Sequence, residues 1–193
     1  IIEKVTGKDF YDEARSRCVK KHKLNDTIAQ EGPVMKGVVQ GYAGPQNPFG
    51  GKDAMIENGK FVVNPQLEWT GGGWASTGED LARWAKLMYE GKAFDPSMVP
   101  VMLEGVPAKL GPNVKYGLGV IIRPTPAGLT YGHSGFFPGY MTDMMYFPEH
   151  RFAVAVQVNT SVGQSFAGKG PSRILIEIAE AIKSAQSTHA AAK

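Results

Sequence analysis

The sequence predicts an α+β fold in which the strands of an antiparallel sheet are flanked by helices. Three observations carry that prediction. Between residues 116 and 158, four apolar strand-like runs follow one another with short turns, the pattern of antiparallel neighbours. Ahead of them, Leu81, Trp84, Ala85 and Met88 recur at helical spacing. Behind them, Ile174, Leu175, Ile178 and Ile182 do the same.

The chain has 193 residues, enough for one ordinary domain with a real core. A hydrophobic content of 42% and a charged content of 20% are globular values. The net charge of +3 is small, and the only basic run, Lys20-Lys21-His22-Lys23, suits a solvated helix end. Nucleic acid is therefore not the expected partner. A single cysteine, Cys18, excludes an internal disulfide. Four histidines with no Cys/His cluster and no HExxH leave no expected metal site, and no cofactor motif is present. The apolar runs are far too short to span a membrane.

Taken in order, Ile1 to Val5 predicts the last turn of a helix, and the chain opens as though cut from a longer one. Thr6 with Asp9 resembles a capping box for a helix from about Lys8 to Lys21, with Phe10, Ala14, Arg17 and Cys18 on one face. Leu24-Asn25-Asp26-Thr27 closes it. From Ala29 to Trp69 the pattern weakens into turn chemistry, Gly41 to Pro48 and Asn58-Gly59, with short strands expected at Val38-Val39 and Phe61 to Val63. A loop this long lines a site. Gly71-Gly72-Gly73 lacks the Lys-Ser/Thr of a P-loop, so nucleotide binding is rejected. Ser76 and Glu79 predict the cap of a helix from Glu79 to Tyr89, ended by Gly91, and a short helix is expected from Pro96 to Leu103.

The strand section runs Tyr116 to Arg123, Leu129 to His133, Tyr140 to Phe147 and Phe152 to Val158. Tyr140 to Phe147 alternates as a half-buried strand, while the continuous apolarity of Phe152 to Val158 predicts a place in the middle of the sheet. Pro171 starts a helix to Ala185, followed by a frayed tail from Gln186 to Lys193. Within this section, Gly132-His133-Ser134-Gly135 sets a histidine and a serine side by side between glycines, which mark a close approach to backbone. The stretch is a candidate wall of an active site. It is one residue short of a G-x-S-x-G elbow, and no alternation of parallel strands and helices surrounds it, so Ser134 is not read as a nucleophile. Tyr42 and Asn159 are secondary pocket candidates.

These residues carry a resemblance. Ile2 to Lys8 resembles the IEKVTGK stretch of the serine β-lactamase-like family, which comprises class C β-lactamases, D-alanyl-D-alanine carboxypeptidases and related esterases. Leu24 to Thr27 resembles its LGM-x-x-T turn, with Asn25 in place of Gly and no Met. Gly72 to Ala82 resembles its GG-x-x-ST-x-x-DLA segment, and Tyr116-Gly117-Leu118-Gly119 followed by His133-Ser134-Gly135 resembles its YGLG strand and lysine/histidine-Ser/Thr-Gly motif. The order and spacing of the four landmarks hold across nearly the whole chain. The resemblance implies a β-lactamase-like fold, here partial, with residues 1–193 as the C-terminal portion of a single domain. It also implies acyl transfer by the serine of S-x-x-K with the tyrosine of Y-x-N. Neither motif occurs in the chain, so the resemblance implies a fragment without its nucleophile.

By the same resemblance, His133 replaces the motif's lysine, Ser134 offers a hydroxyl to substrate, and Gly135 is the close-approach residue. The N–H of Phe136 would be one of two oxyanion-hole donors, each worth roughly 3 kcal/mol. A histidine is mostly neutral at pH 7, its ordinary pKa being about 6.5, so attraction for a substrate carboxylate would weaken with rising pH. The implied substrate is a small molecule or peptide: an amide or ester first, a β-lactam second. The implied partner is a missing N-terminal half, a companion chain or a strand-mediated homodimer, and a periplasmic or secreted compartment would fit the family. The alternative from a different class is a non-catalytic binding module that retains the pocket wall.

Overall fold

The computed structural model describes residues 1–45, 47, 52–162 and 168–191. Helix α1 (Ile2–Thr6) ends at Gly7, whose φ of 69° lets its N–H return to the Glu3 carbonyl. The cap of α2 (Phe10–Ala14) is Asp9 itself, accepting from the N–H groups of Tyr11 and Asp12, and not the expected Thr6–Asp9 pair. A π-helical stretch, Arg15–Lys20, follows directly. The buried residues here are Tyr11 and Glu13, whereas Arg17 of the expected face is exposed. Two contacts set that phase: Tyr11 packs edge-on against Trp74 with ring centroids 5.6 Å apart, and Glu13 is held by Lys8 and Arg17.

Strand β1 (Ile28–Ala29) precedes a long segment in which Val38-Val39 forms no strand. Strands β2 (Ile56–Glu57) and β3 (Lys60–Phe61) form a hairpin turned by Asn58 and Gly59, both at positive φ. Gln46 and Pro48 of the expected turn lie outside the described residues. A 3₁₀ turn, Pro65–Glu68, leads through α3 (Trp69–Gly72) to β4 (Trp74–Ala75), which pairs with β1. A Cβ at Gly73 would collide with the Trp69 carbonyl and the Tyr11 hydroxyl, so that glycine serves packing.

Helix α4 (Gly78–Tyr89) is capped by Thr77, which accepts from the Asp80 N–H, and not by the expected Ser76–Glu79 pair. Ser76 is instead 2.8 Å from the Thr27 hydroxyl. Buried Asp80 accepts from the Asp26 N–H at 2.8 Å and the Thr27 hydroxyl at 3.1 Å, stitching the Leu24–Thr27 turn to the helix. Helix α5 (Met98–Leu103) follows.

The main sheet comprises β5 (Val106–Pro107), β6 (Lys115–Tyr116), β7 (Ile121–Thr125), β8 (Gly128–Phe137), β9 (Tyr140–Phe147) and β10 (Phe152–Val158), in spatial order β10-β9-β8-β7-β6-β5 with every pair antiparallel. The expected run from Tyr116 to Arg123 is broken into β6 and β7 by a turn. There the Gly117 N–H bonds the Val120 carbonyl at 2.8 Å and Gly119 takes φ 70°. Helix α6 (Pro171–Ala191) extends past the expected fraying point at Gln186, and residues 192–193 lie outside the described residues.

The sheet carries a core on each face. Against α4 lie Val120, Ile122, Met144 and Tyr146 with Ala85 and Tyr89. Against α6 lie Ala127, Met145, Phe147 and Val154 with Leu175 and Ala179, while Ile178 of the expected stripe is exposed. Two strand expectations are thereby exchanged. β10 stands at the edge, and its apolar continuity reflects α4 on one face and α6 on the other. β9 has a strand on each side, and it buries Asp143 to Phe147 consecutively instead of alternating.

Candidate active site

The sheet frays at one point that matters. β7 pairs with β8 only over Gly128–Gly132, whereas β9 pairs with it over Tyr131–Phe137. Among the described residues, β8 from His133 to Phe137 therefore has β9 on one side and no strand on the other. His133, Ser134, Gly135 and Phe136 are all exposed along this free stretch, Phe136 to 57%. The sequence-predicted site residues thus lie together on one accessible sheet margin.

Their surroundings differ. The His133 ring reaches β6: its Nε2 is 2.8 Å from the Tyr116 phenol oxygen, and its Nδ1 is 2.6 Å from the Ser134 carbonyl. Ser134 sits directly opposite Asp143 of β9, so both side chains share a face. Asp143 is 2% exposed, accepts from the Ser172 hydroxyl at the start of α6, and lies 3.8 Å from Arg123 of β7. Burial raises its carboxyl above the usual carboxylate range, against the opposing pull of Ser172 and Arg123.

The glycines divide in their roles. A Cβ at Gly132 would collide with the Met144 carbonyl, so β8 and β9 need glycine there for close pairing. A Cβ at Gly135 would meet only Thr142, at 3.7 Å, which leaves its free side open. At the far end of β8, Phe137 packs against Phe61 with ring centroids 6.0 Å apart, bringing the β2–β3 hairpin to the site. The β8–β9 turn is clamped there too: Gly139 has φ 84° with no room for a side chain, and the Tyr140 hydroxyl donates to the Val39 carbonyl at 2.6 Å. Tyr42 exchanges backbone bonds with Asn159 and Ser161, and Asn159 donates to the Gln40 carbonyl. These two residues join the long loop to the end of β10. Among the described residues, no cluster of His, Cys, Asp or Glu could hold a metal ion.

Sequence reasoning missed Tyr116 and Asp143. Asp143 carried a usable signal, being the one charge in the otherwise apolar or uncharged run from Tyr140 to Phe147, and buried charges are rare without partners. Tyr116 stood in the YGLG landmark with nothing to pair it with His133, because that contact depends on the turn that separates β6 from β7.

A mixed sheet-and-helix architecture with the His-Ser-Gly stretch on a free strand end defines the class, a serine β-lactamase-like fold. The chain belongs to the beta-lactamase family, whose family model, described as Beta-lactamase, matches residues 1–177. Similar solved structures include a D-stereospecific amidohydrolase from Streptomyces sp., 23% identical with a TM-score of 0.74, covering 91% of this chain and 49% of that one. A D-amino acid amidase from Ochrobactrum anthropi SV3 is 22% identical with a TM-score of 0.76, covering 96% and 54%. A penicillin binding protein from Bacillus halodurans is 18% identical with a TM-score of 0.59, covering 84% and 48%. At these identities they establish the fold. The chain spans about half the length of these structures. No curated protein matches it. Among the described residues, no helix is long and apolar enough to cross a membrane.

Proposed function

We propose that this chain contributes the substrate-facing wall of a serine hydrolase that cleaves an amide or ester through an acyl-serine, with a nucleophile supplied from outside residues 1–193. The observation that carries the reading is the exposed His133-Ser134-Gly135-Phe136 stretch at the unpaired end of β8 in a beta-lactamase-family chain. A free strand margin offers backbone N–H and C=O groups to an extended substrate, and the Phe136 N–H would be one oxyanion donor. Ser134 would bind substrate through its hydroxyl. Amides rank ahead of β-lactams because similar folds include an amidohydrolase and an amidase.

The chain contains no S-x-x-K and no Y-x-N, so its activity requires a second segment or chain. The free edge of β10 suits such a segment: Phe152–Val158 has no proline and no charge to blunt its edge, and both of its faces are already covered. The test is hydrolysis of a D-amino acid amide, an ester and a chromogenic β-lactam by residues 1–193 combined with an S-x-x-K-bearing segment. Turnover of the amide or ester that falls in Ser134→Ala and His133→Ala is expected. A parent polypeptide without any S-x-x-K would instead favour a non-catalytic binding module, the reading that the missing motifs also permit.

A further inference from the structure

We propose that Tyr116 is a positioning residue for His133, holding the neutral imidazole as its Nδ1–H tautomer with Nε2 as the acceptor. For the neutral ring the geometry leaves one assignment of protons. The Ser134 carbonyl, 2.6 Å from Nδ1, can only accept, so Nδ1 carries the hydrogen. A neutral imidazole has a single N–H, so Nε2 holds a lone pair, and the Tyr116 hydroxyl at 2.8 Å is its donor. The two rings meet edge to face, with centroids 5.8 Å apart and planes at 82°, which limits rotation of the imidazole about its stem. Tyr116 arrives from β6 because the Gly117–Val120 turn folds that strand back beside β7.

The pairing has a consequence for recognition, and this consequence rests on the reading of β8 as a substrate wall. Both nitrogens of the neutral ring are committed within the chain. The acceptor capacity left to the pair resides on the Tyr116 oxygen, which can receive an ammonium or amide N–H from a ligand. The neutral ring has no N–H to give a ligand carboxylate.

The test is a two-bond ¹⁵N–¹H NMR experiment on uniformly labelled chain, at a pH where the His133 ring is neutral. The result expected is the Nδ1–H pattern for wild-type His133, kept in Tyr116→Phe because the Ser134 carbonyl remains, with the Nε2 resonance moving downfield toward that of a free lone-pair nitrogen while His22 is unchanged. Wild-type His133 in the Nε2–H form would overturn the inference, and so would an Nε2 resonance unmoved by Tyr116→Phe. Should that variant fail to fold, the wild-type Nε2 shift decides: a resonance upfield of a free imidazole lone-pair nitrogen supports the pairing, and a free-type resonance refutes it. Because the readout needs no turnover, a confirmed tautomer in a chain that never supports hydrolysis would remove the functional reading and leave this one standing.

Discussion

Two carboxylates respond to pH in opposite directions. Glu90, at the end of α4, accepts from Lys86 at 2.8 Å and Lys92 at 2.6 Å, and these bonds lower its pKa from an ordinary 4.5 to about 2. A lowered pKa means stability that is fully present above pH 4.5 and lost as pH falls toward about 2. Asp143 is raised by desolvation, so its contribution is present below its ordinary 3.8 and lost as pH rises through its folded value. Urea midpoints from pH 2 to 7 should therefore show Glu90→Gln closest to wild type at the acid end and furthest from it above pH 4.5. Asp143→Asn should show the reverse slope, its disadvantage shrinking as pH rises. Curves for both variants that run parallel to wild type would contradict both assignments. Asp143 also bears on the site, because it lies under Ser134 and joins β9 to α6 and β7.

At the level of elements, Thr77→Ala removes the hydroxyl that accepts from the Asp80 N–H, a loss of about 1 kcal/mol expected in chemical denaturation. Leu175→Ala opens a cavity where α6 meets the sheet at a fully buried position, and about 2–5 kcal/mol is expected. Gly132→Ala should be more damaging than its size suggests, since the new methyl group meets backbone on β9. The same elements show what a sequence can convey. Helical spacing found α4 and α6, and short turns found an antiparallel sheet, because these patterns are local. The cap of α4 was displaced by one residue because Ser76 is taken by Thr27, a partner 49 positions away. β10 read as a central strand because apolar continuity reports covered faces, and helices cover faces as well as sheets do. The His133–Phe136 stretch was legible as a group through its glycines and motif. Its place on a free strand end was not, since that follows from where β7 begins.

The molecule as a whole combines a two-faced core, a free end of β8 and, among the described residues, an unpaired β10 edge. Sedimentation should find β10 engaged, either with an added segment or with a second copy, and a monodisperse monomer with this edge open to solvent would contradict that proposal. The central claim, that residues 1–193 hold the wall of a serine hydrolase site but not its nucleophile, is tested most directly by fluorophosphonate labelling followed by peptide mapping. No label is expected on the chain alone, and label is expected on the serine of an S-x-x-K segment once that segment is supplied. Stoichiometric modification of any serine within residues 1–193, Ser134 above all, would contradict it.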